Sequence, residues 1–216
     1  GEKTLQKGSF MQAHGTGTPQ NRVTESHILN EMAKNFGINS WLTGAVKCYL
    51  GHSMAPAGGD QLSAILGTWE DGWFPGINTI DHIADDVYDS NLNLPFNHVE
   101  VDSSSLPVGF VNSKGFGGNN ATGVFVSPEK TLGLLKKRWG IKYLSSYYQR
   151  VEKIELSAQE YNEKADDADT KPIYQFGEGV IEGEDLKISK TEVVIPGFDL
   201  PISLELENVY PDLQDE

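Results

Sequence analysis

Two histidines, a lysine and a glycine-rich turn are the residues of this chain whose types and spacing could do chemistry together. His14 closes the apolar run 9–13 and is followed by Gly-Thr-Gly-Thr. A histidine at the end of a strand has a fixed aim, and the two glycines let backbone and the hydroxyls of Thr16 and Thr18 come close to a ligand. Lys47 and His52 lie five apart in VKCYLGHS, where a cation could hold charge beside an imidazole. A helix starting near Ala55 would add its positive end to the same place. The third part is the loop NSKGFGGNN at 112–120. Each histidine taken singly also reads as a structural residue. Together, positive charge gathered around neutral imidazoles suits a reaction that develops an oxyanion, such as thioester or enolate chemistry.

The elements around these residues predict an α/β fold. A buried strand over 9–13 runs into the first glycine turn. Apolar residues at Val23, Ile28, Leu29, Met32, Ala33 and Phe36 recur at helical spacing, and Gly37 supplies a stop. A second strand over 41–46 delivers the turn 47–53, and helical spacing resumes over 55–69. Strand, turn and helix occurring twice places the functional groups on loops at one edge of a sheet. The punctuated segment 75–95 reads as a long surface excursion. Strands follow at 98–101, 107–112 and 121–126, with the glycine loop between the last two. Ser127-Pro128-Glu129 opens a helix over 130–139, and a domain boundary is placed near 130. Beyond it come an aromatic-rich stretch with Tyr143, Tyr147 and Tyr148, a charged helix over 150–167, strand-like runs at 187–195 and 200–207, and a fraying end PDLQDE.

At 216 residues with 38% hydrophobic content the chain can bury one ordinary core and a smaller second unit. Its net charge of −14 is unevenly placed. Residues 1–150 carry 12 Lys+Arg against 13 Asp+Glu, whereas 151–216 carry 5 against 18. Such an acidic tail repels phosphate backbones and anionic lipid, which argues against nucleic-acid and membrane-surface roles. No apolar run reaches the ~20 residues of a membrane span, and a cytoplasmic protein is expected. The single Cys48 excludes an internal disulfide and a multi-cysteine zinc site. His27, His82 and His98 lack metal-like spacing, so no metal site is expected. Gly115-Phe116-Gly117 lacks the third glycine of a dinucleotide fingerprint.

QAHGTGTPQN, VKCYLGHSMAPAGG and NSKGFGGNNA, in this order and at these separations, resemble the three C-terminal motifs of the β-ketoacyl synthases, condensing enzymes of the thiolase-like superfamily. The resemblance covers roughly residues 8–127. It implies the C-terminal half of a thiolase-like fold, a mixed sheet covered by helices, over 1–129, followed by an acidic α+β extension over 130–216. By the same resemblance His14 and His52 bind the malonyl thioester carbonyl and assist its decarboxylation, and Lys47 stands beside them. Thr16 and Thr18 line the pantetheine tunnel. Phe116 is the gating aromatic of a loop hinged at Gly117 and Gly118, where a backbone amide completes the oxyanion hole.

The nucleophilic cysteine of that family lies in its N-terminal half, upstream of anything in this chain, and Cys48 sits where serine is usual. The chain is therefore expected to be inactive alone and to need the N-terminal half of the same enzyme. The implied partners are an acyl carrier protein, for which Lys136, Lys137, Arg138 and Lys142 form the candidate basic surface, and a second copy in a homodimer. The substrates are phosphopantetheine or coenzyme A thioesters, with no other cofactor, and a large, tailed bacterial enzyme of fatty-acid synthesis is suggested. Four positions depart from the family pattern: Gln12 and Gln61 replace acidic residues, Arg22 an aspartate, and Lys114 an aromatic.

Two other readings compete. Gly51-His52-Ser53-Met54-Ala55 approaches a nucleophile elbow, with Ser53 the nucleophile of a thioesterase or acyltransferase. A non-catalytic partner half-domain, like the chain-length factors of some synthases, is the other.

Overall fold

The computed structural model describes residues 1–171 and 176–205. They divide into two compact units, Gly1–Gln149 and Arg150–Glu216. The division falls inside one long helix, beyond the boundary that the helix start at Ser127-Pro128-Glu129 places near 130.

The first unit opens with helix α1 (Glu2–Lys7), strand β1 (Ser9–Gln12), helix α2 (Pro19–Asn35) and strand β2 (Trp41–Gly44). Pro19 stands at the first position of α2, where its missing N–H costs nothing, and Gly37 lies just past the helix end at φ +69°. A single helical turn, α3 (Lys47–Leu50), follows where the sequence reads a plain turn, and then comes α4 (Ala57–Asp71). Short strands β3 (Trp73–Phe74), β4 (Leu92–Asn93) and β5 (Val99–Glu100) bracket the excursion. A hairpin of β6 (Val108–Lys114) and β7 (Asn120–Val126) leads to helices α5 (Pro128–Trp139) and α6 (Ile141–Asp166). Ser127 caps α5 by accepting from the Lys130 N–H, with basic residues in the last turn answering the helix dipole. The aromatic stretch belongs to α6 rather than forming a segment of its own.

The main sheet has the order β4-β2-β1-β6-β7. The first four strands are parallel and β7 is antiparallel to β6. This is a mixed sheet with helices on both faces, as expected. Because β1, β2 and β6 run the same way, their C-terminal ends meet at one edge, and those ends carry His14, Lys47 and the glycine hairpin.

Alternate residues of β1 feed opposite cores. Met11 packs with Leu29, Ala33, Ile38, Trp41 and Leu92 on the α2 face. Phe10 packs with Ile65, Trp69, Phe74, Leu106 and Val111 on the α4 face. Both tryptophans satisfy their ring N–H, Trp41 on the Ser9 hydroxyl at 3.0 Å and Trp69 on the Leu106 carbonyl at 2.7 Å. A Cβ on Gly109 would stand 2.9 Å from Ile65, so the glycine lets α4 lie close on β6.

The helical spacing of α2 is observed, but its buried stripe is not the apolar one. Leu29 and Ala33 are inside, whereas Ile28, Met32 and Phe36 are about half exposed, and Glu25, Ser26 and Asn30 take the buried positions. These polar side chains are occupied. The Ser26 hydroxyl accepts from the Tyr88 N–H, and Asn30 Oδ1 accepts from the Asn91 N–H and the Ser90 hydroxyl. They strap the excursion to α2, helped by a two-pronged Arg22–Asp86 ion pair with both contacts at 2.8 Å.

The second unit contains an antiparallel sheet, β10-β9-β8, built from β8 (Lys187–Ile188), β9 (Glu192–Val194) and β10 (Ile202–Ser203). The end of the strand-like run 200–207 and the terminal PDLQDE lie outside the described residues. No described helix is long and apolar enough to cross a membrane.

The Ile65 side chain is fully buried between β1 and β6. Ile65→Ala should lower unfolding free energy by about 2–5 kcal/mol in urea titration; a loss under about 0.5 kcal/mol would show that α4 does not pack against the sheet in this way.

Candidate functional site

The turn after β1 is built around Glu25. This carboxylate is 5% exposed and accepts four hydrogen bonds. The His14 N–H reaches Oε1 at 2.8 Å, the Gly15 N–H reaches Oε2 at 2.9 Å, and Asn21 Nδ2 and Asn112 Nδ2 supply the others at 3.0 and 2.6 Å. Gly15 turns the chain at φ +58°, and a Cβ there would fall 2.6 Å from the Ala45 Cβ, so only glycine fits. The Thr16 and Thr18 hydroxyls are hydrogen-bonded to each other at 3.3 Å at the open end of the same loop.

His14 is buried and its ring centroid lies 5.1 Å from that of His52, with the planes at 80°. His52 is exposed, and its Nδ1 accepts the Met54 N–H at 3.0 Å. That bond fixes the neutral tautomer, leaving the proton on Nε2. Met54 itself holds φ +66°, a strained value for a residue with a side chain. Both rings open on one cleft of about 240 Å³, whose far wall is Lys114, Gly115 and Asn119 of the hairpin. Phe116, at 92% exposed, stands at the hairpin tip with Gly117 and Gly118 at φ +83° and +84°.

Burial lowers the His14 pKa below its ordinary value, and the Lys47 charge lowers it further, against a raising influence from Glu25. The ring is therefore neutral at physiological pH. Lys47 is itself buried, and desolvation lowers its pKa. Its Nζ has no hydrogen-bond partner among the described residues. The sequence sets Lys47 beside the histidines; the structure places its side chain on a neighbouring cavity of about 560 Å³, which Glu25, Cys48 and Leu29 also line. Its influence on His14 is electrostatic.

The other candidates separate cleanly. Burial pushes the Cys48 thiol up, which disfavours the thiolate a nucleophile needs. The Ser53 hydroxyl donates to the Asp60 carboxylate, so its proton is held by a carboxylate and not by an imidazole base. Lys114 bonds the Thr24 hydroxyl at 2.9 Å, and Arg22 is spent on Asp86. Among the described residues no group of three His, Cys, Asp or Glu side chains is placed to hold a metal ion. Glu25 escapes the motif reading, and Asn112 lies in the quoted glycine loop with no role assigned to it. The signal that could have found Glu25 is its place four residues before Leu29 and eight before Ala33, on the buried stripe of α2, where a carboxylate must have donors.

Residues 6–80 match the family described as beta-ketoacyl synthase, C-terminal domain. Residues 6–80 thus carry the C-terminal domain of a β-ketoacyl synthase, on the thiolase-like fold. The chain is 42% identical to beta-ketoacyl-[acyl-carrier-protein] synthase FabY of Pseudomonas aeruginosa over 215 residues, all of this chain and 34% of that protein. The crystal structure of that noncanonical ketosynthase superposes with a TM-score of 0.81 at 41% identity, covering 100% of this chain and 34% of the other. A second relative, 3-oxoacyl-[acyl-carrier-protein] synthase 2 of Synechocystis sp., is 30% identical over 126 residues, 54% of this chain and 27% of its own length. The chain thus spans about a third of the length of these relatives. The likeness to FabY runs the full length of this chain and so includes the acidic extension, whereas the likeness to the Synechocystis enzyme covers 54% of the chain.

Removing the Glu25 carboxylate strands two backbone N–H groups and the Asn112 amide. Glu25→Ala should cost about 3 kcal/mol or more in chemical denaturation, at roughly 1–3 kcal/mol for each buried unpaired donor; a cost below about 1 kcal/mol would mean that the turn does not depend on it.

Proposed function

We propose that this chain supplies the decarboxylating half of a β-ketoacyl synthase site, in which malonyl thioester loses carbon dioxide and the resulting enolate attacks an acyl thioester. The observation that supports it is the pair of imidazoles opening on one cleft, their centroids 5.1 Å apart, with His52 Nδ1 held as an acceptor so that its Nε2–H points away from the backbone. Loss of carbon dioxide leaves two electrons on the α-carbon and negative charge on the thioester oxygen. Two N–H donors aimed at that oxygen stabilise the charge without protonating it, and the Lys47 charge keeps His14 from becoming an imidazolium in advance. The acyl group is carried by a cysteine of the complete enzyme, contributed by its N-terminal half. Catalytic roles thus fall to His14, His52 and Lys47. Thr16 and Thr18 contact the pantetheine arm, and Phe116, Gly117 and Gly118 form the hinged gate.

The reading needs no metal or redox cofactor, only thioesters on phosphopantetheine or coenzyme A, and it places the enzyme in the cytoplasm as a homodimer. The partner is an acyl carrier protein. Its acidic surface suits Lys136, Lys137 and Arg138 in the exposed last turn of α5, with Lys142 on α6.

In the complete synthase, His14→Ala and His52→Ala should each lower condensation by about 10²–10³-fold, the usual loss of one oxyanion donor. The isolated chain should show no condensation at all. Native turnover in either histidine variant, or condensation by the chain alone, would contradict the proposal; a complete native enzyme that never condenses would favour the chain-length-factor alternative. A second outcome concerns pH. Because Lys47 lowers the His14 pKa, the acid limb of the rate profile should lie below the ordinary imidazole value of about 6.5 and move to higher pH in Lys47→Met. An unmoved limb would show that His14 is not the titrating group.

A further inference from the structure

We infer that Gln61 is a positioning residue that sets the separation of the two imidazoles, an assignment that rests on the condensation reading above. Gln61 lies in the second turn of α4 and is fully buried. Its Nε2 stands 2.8 Å from the Gln12 carbonyl, 2.7 Å from the Ala13 carbonyl and 2.9 Å from the Asn112 carbonyl. Carbonyl oxygens only accept, so the amide must turn its NH₂ towards them, and two hydrogens serve three acceptors. The amide oxygen is held by the Ser113 hydroxyl at 3.2 Å, which locks the orientation.

Gln61 and Glu25 grip the same two strand ends from opposite faces of the sheet. The peptide unit joining Ala13 to His14 gives its C=O to Gln61 on α4 and its N–H to Glu25 on α2. Asn112, two residues before the end of β6, gives its C=O to Gln61 and its side-chain amide to Glu25. One clamp accepts and the other donates, so neither can be exchanged for the other's chemistry. The α4 helix is also the one entered through the His52 turn, and Ser53 is tied to Asp60 beside Gln61. Gln61 is therefore the polar link between the frame that carries His52, the frame that carries His14, and the hairpin that walls the cleft. A carboxylate at this position could donate to none of the three carbonyls.

The test uses the complete synthase with Gln61→Met, Gln61→Glu, Ser113→Ala and, as a control on the underlying reading, His14→Ala. Displacing a catalytic group by ~1 Å costs up to about 10²-fold, so Gln61→Met should lower kcat by about 10- to 100-fold while KM for malonyl thioester stays within about twofold. Gln61→Glu should lose more activity at pH 8 than at pH 6, because the protonated carboxyl has one O–H to donate and the carboxylate none. Ser113→Ala unlocks the amide while leaving the apolar core in place, and should lower kcat about threefold, the worth of one hydrogen bond, with Tm lowered by no more than a few degrees. Native kcat in Gln61→Met, or a Gln61→Glu profile parallel to the native one, overturns the assignment. Should both variants fail to fold, native kcat in Ser113→Ala overturns it. An inactive His14→Ala enzyme beside fully active Gln61 variants removes the positioning role alone, whereas an active His14→Ala enzyme removes the condensation reading beneath it.

Discussion

A carboxylate buried on the inner stripe of a helix cannot be left without donors, and that constraint shapes this molecule. Glu25 is 5% exposed and collects two backbone N–H groups and two side-chain amides. An unpaired charge there would cost several kcal/mol. Satisfying it forces the chain after β1 into the turn that Gly15 permits, brings Asn112 alongside, and so sets where His14 begins. The parallel run of β1, β2 and β6 brings the right segments to one sheet edge, and the buried polar contacts fix them there to hydrogen-bond tolerance. Packing alone would not, since apolar contacts carry little directional information.

The electrostatics follow from the same arrangement. His14 is kept neutral by burial first and by the Lys47 charge second. Lys47 is buried and has no carboxylate within salt-bridge distance among the described residues. Its field therefore reaches the neighbouring imidazole rather than being quenched in an ion pair. A neutral donor next to a fixed cation suits the stabilisation of a transient oxyanion, since neither group has to reorganise as charge develops.

Much of this was legible in the sequence, and what was not has identifiable physics. The strand at His14, the helix stopped by Gly37 and the hairpin around 112–120 all announced themselves through periodicity and glycine placement. The side of α2 that faces inward did not. Ile28 and Met32 look like core and are half exposed, while Glu25, Ser26 and Asn30 are inside because loops elsewhere in the chain satisfy them. The local sequence can show that such a residue lies on the buried stripe, but not which distant groups satisfy it. Gln61 stood out only as a departure from a pattern, and its meaning depended on three carbonyls from two other strands meeting at one nitrogen. The single turn of α3 was missed because four residues are too few for a helical period to show.

The most direct measurement is a ¹⁵N NMR titration that resolves the ring nitrogens of His14 and His52. The structure predicts that His52 Nδ1 is an unprotonated acceptor with the proton on Nε2, and that His14 titrates below the ordinary imidazole value of about 6.5. A protonated His52 Nδ1 in the neutral ring, or a His14 that titrates at or above the ordinary value, would contradict the claim that the two form a pair of neutral donors.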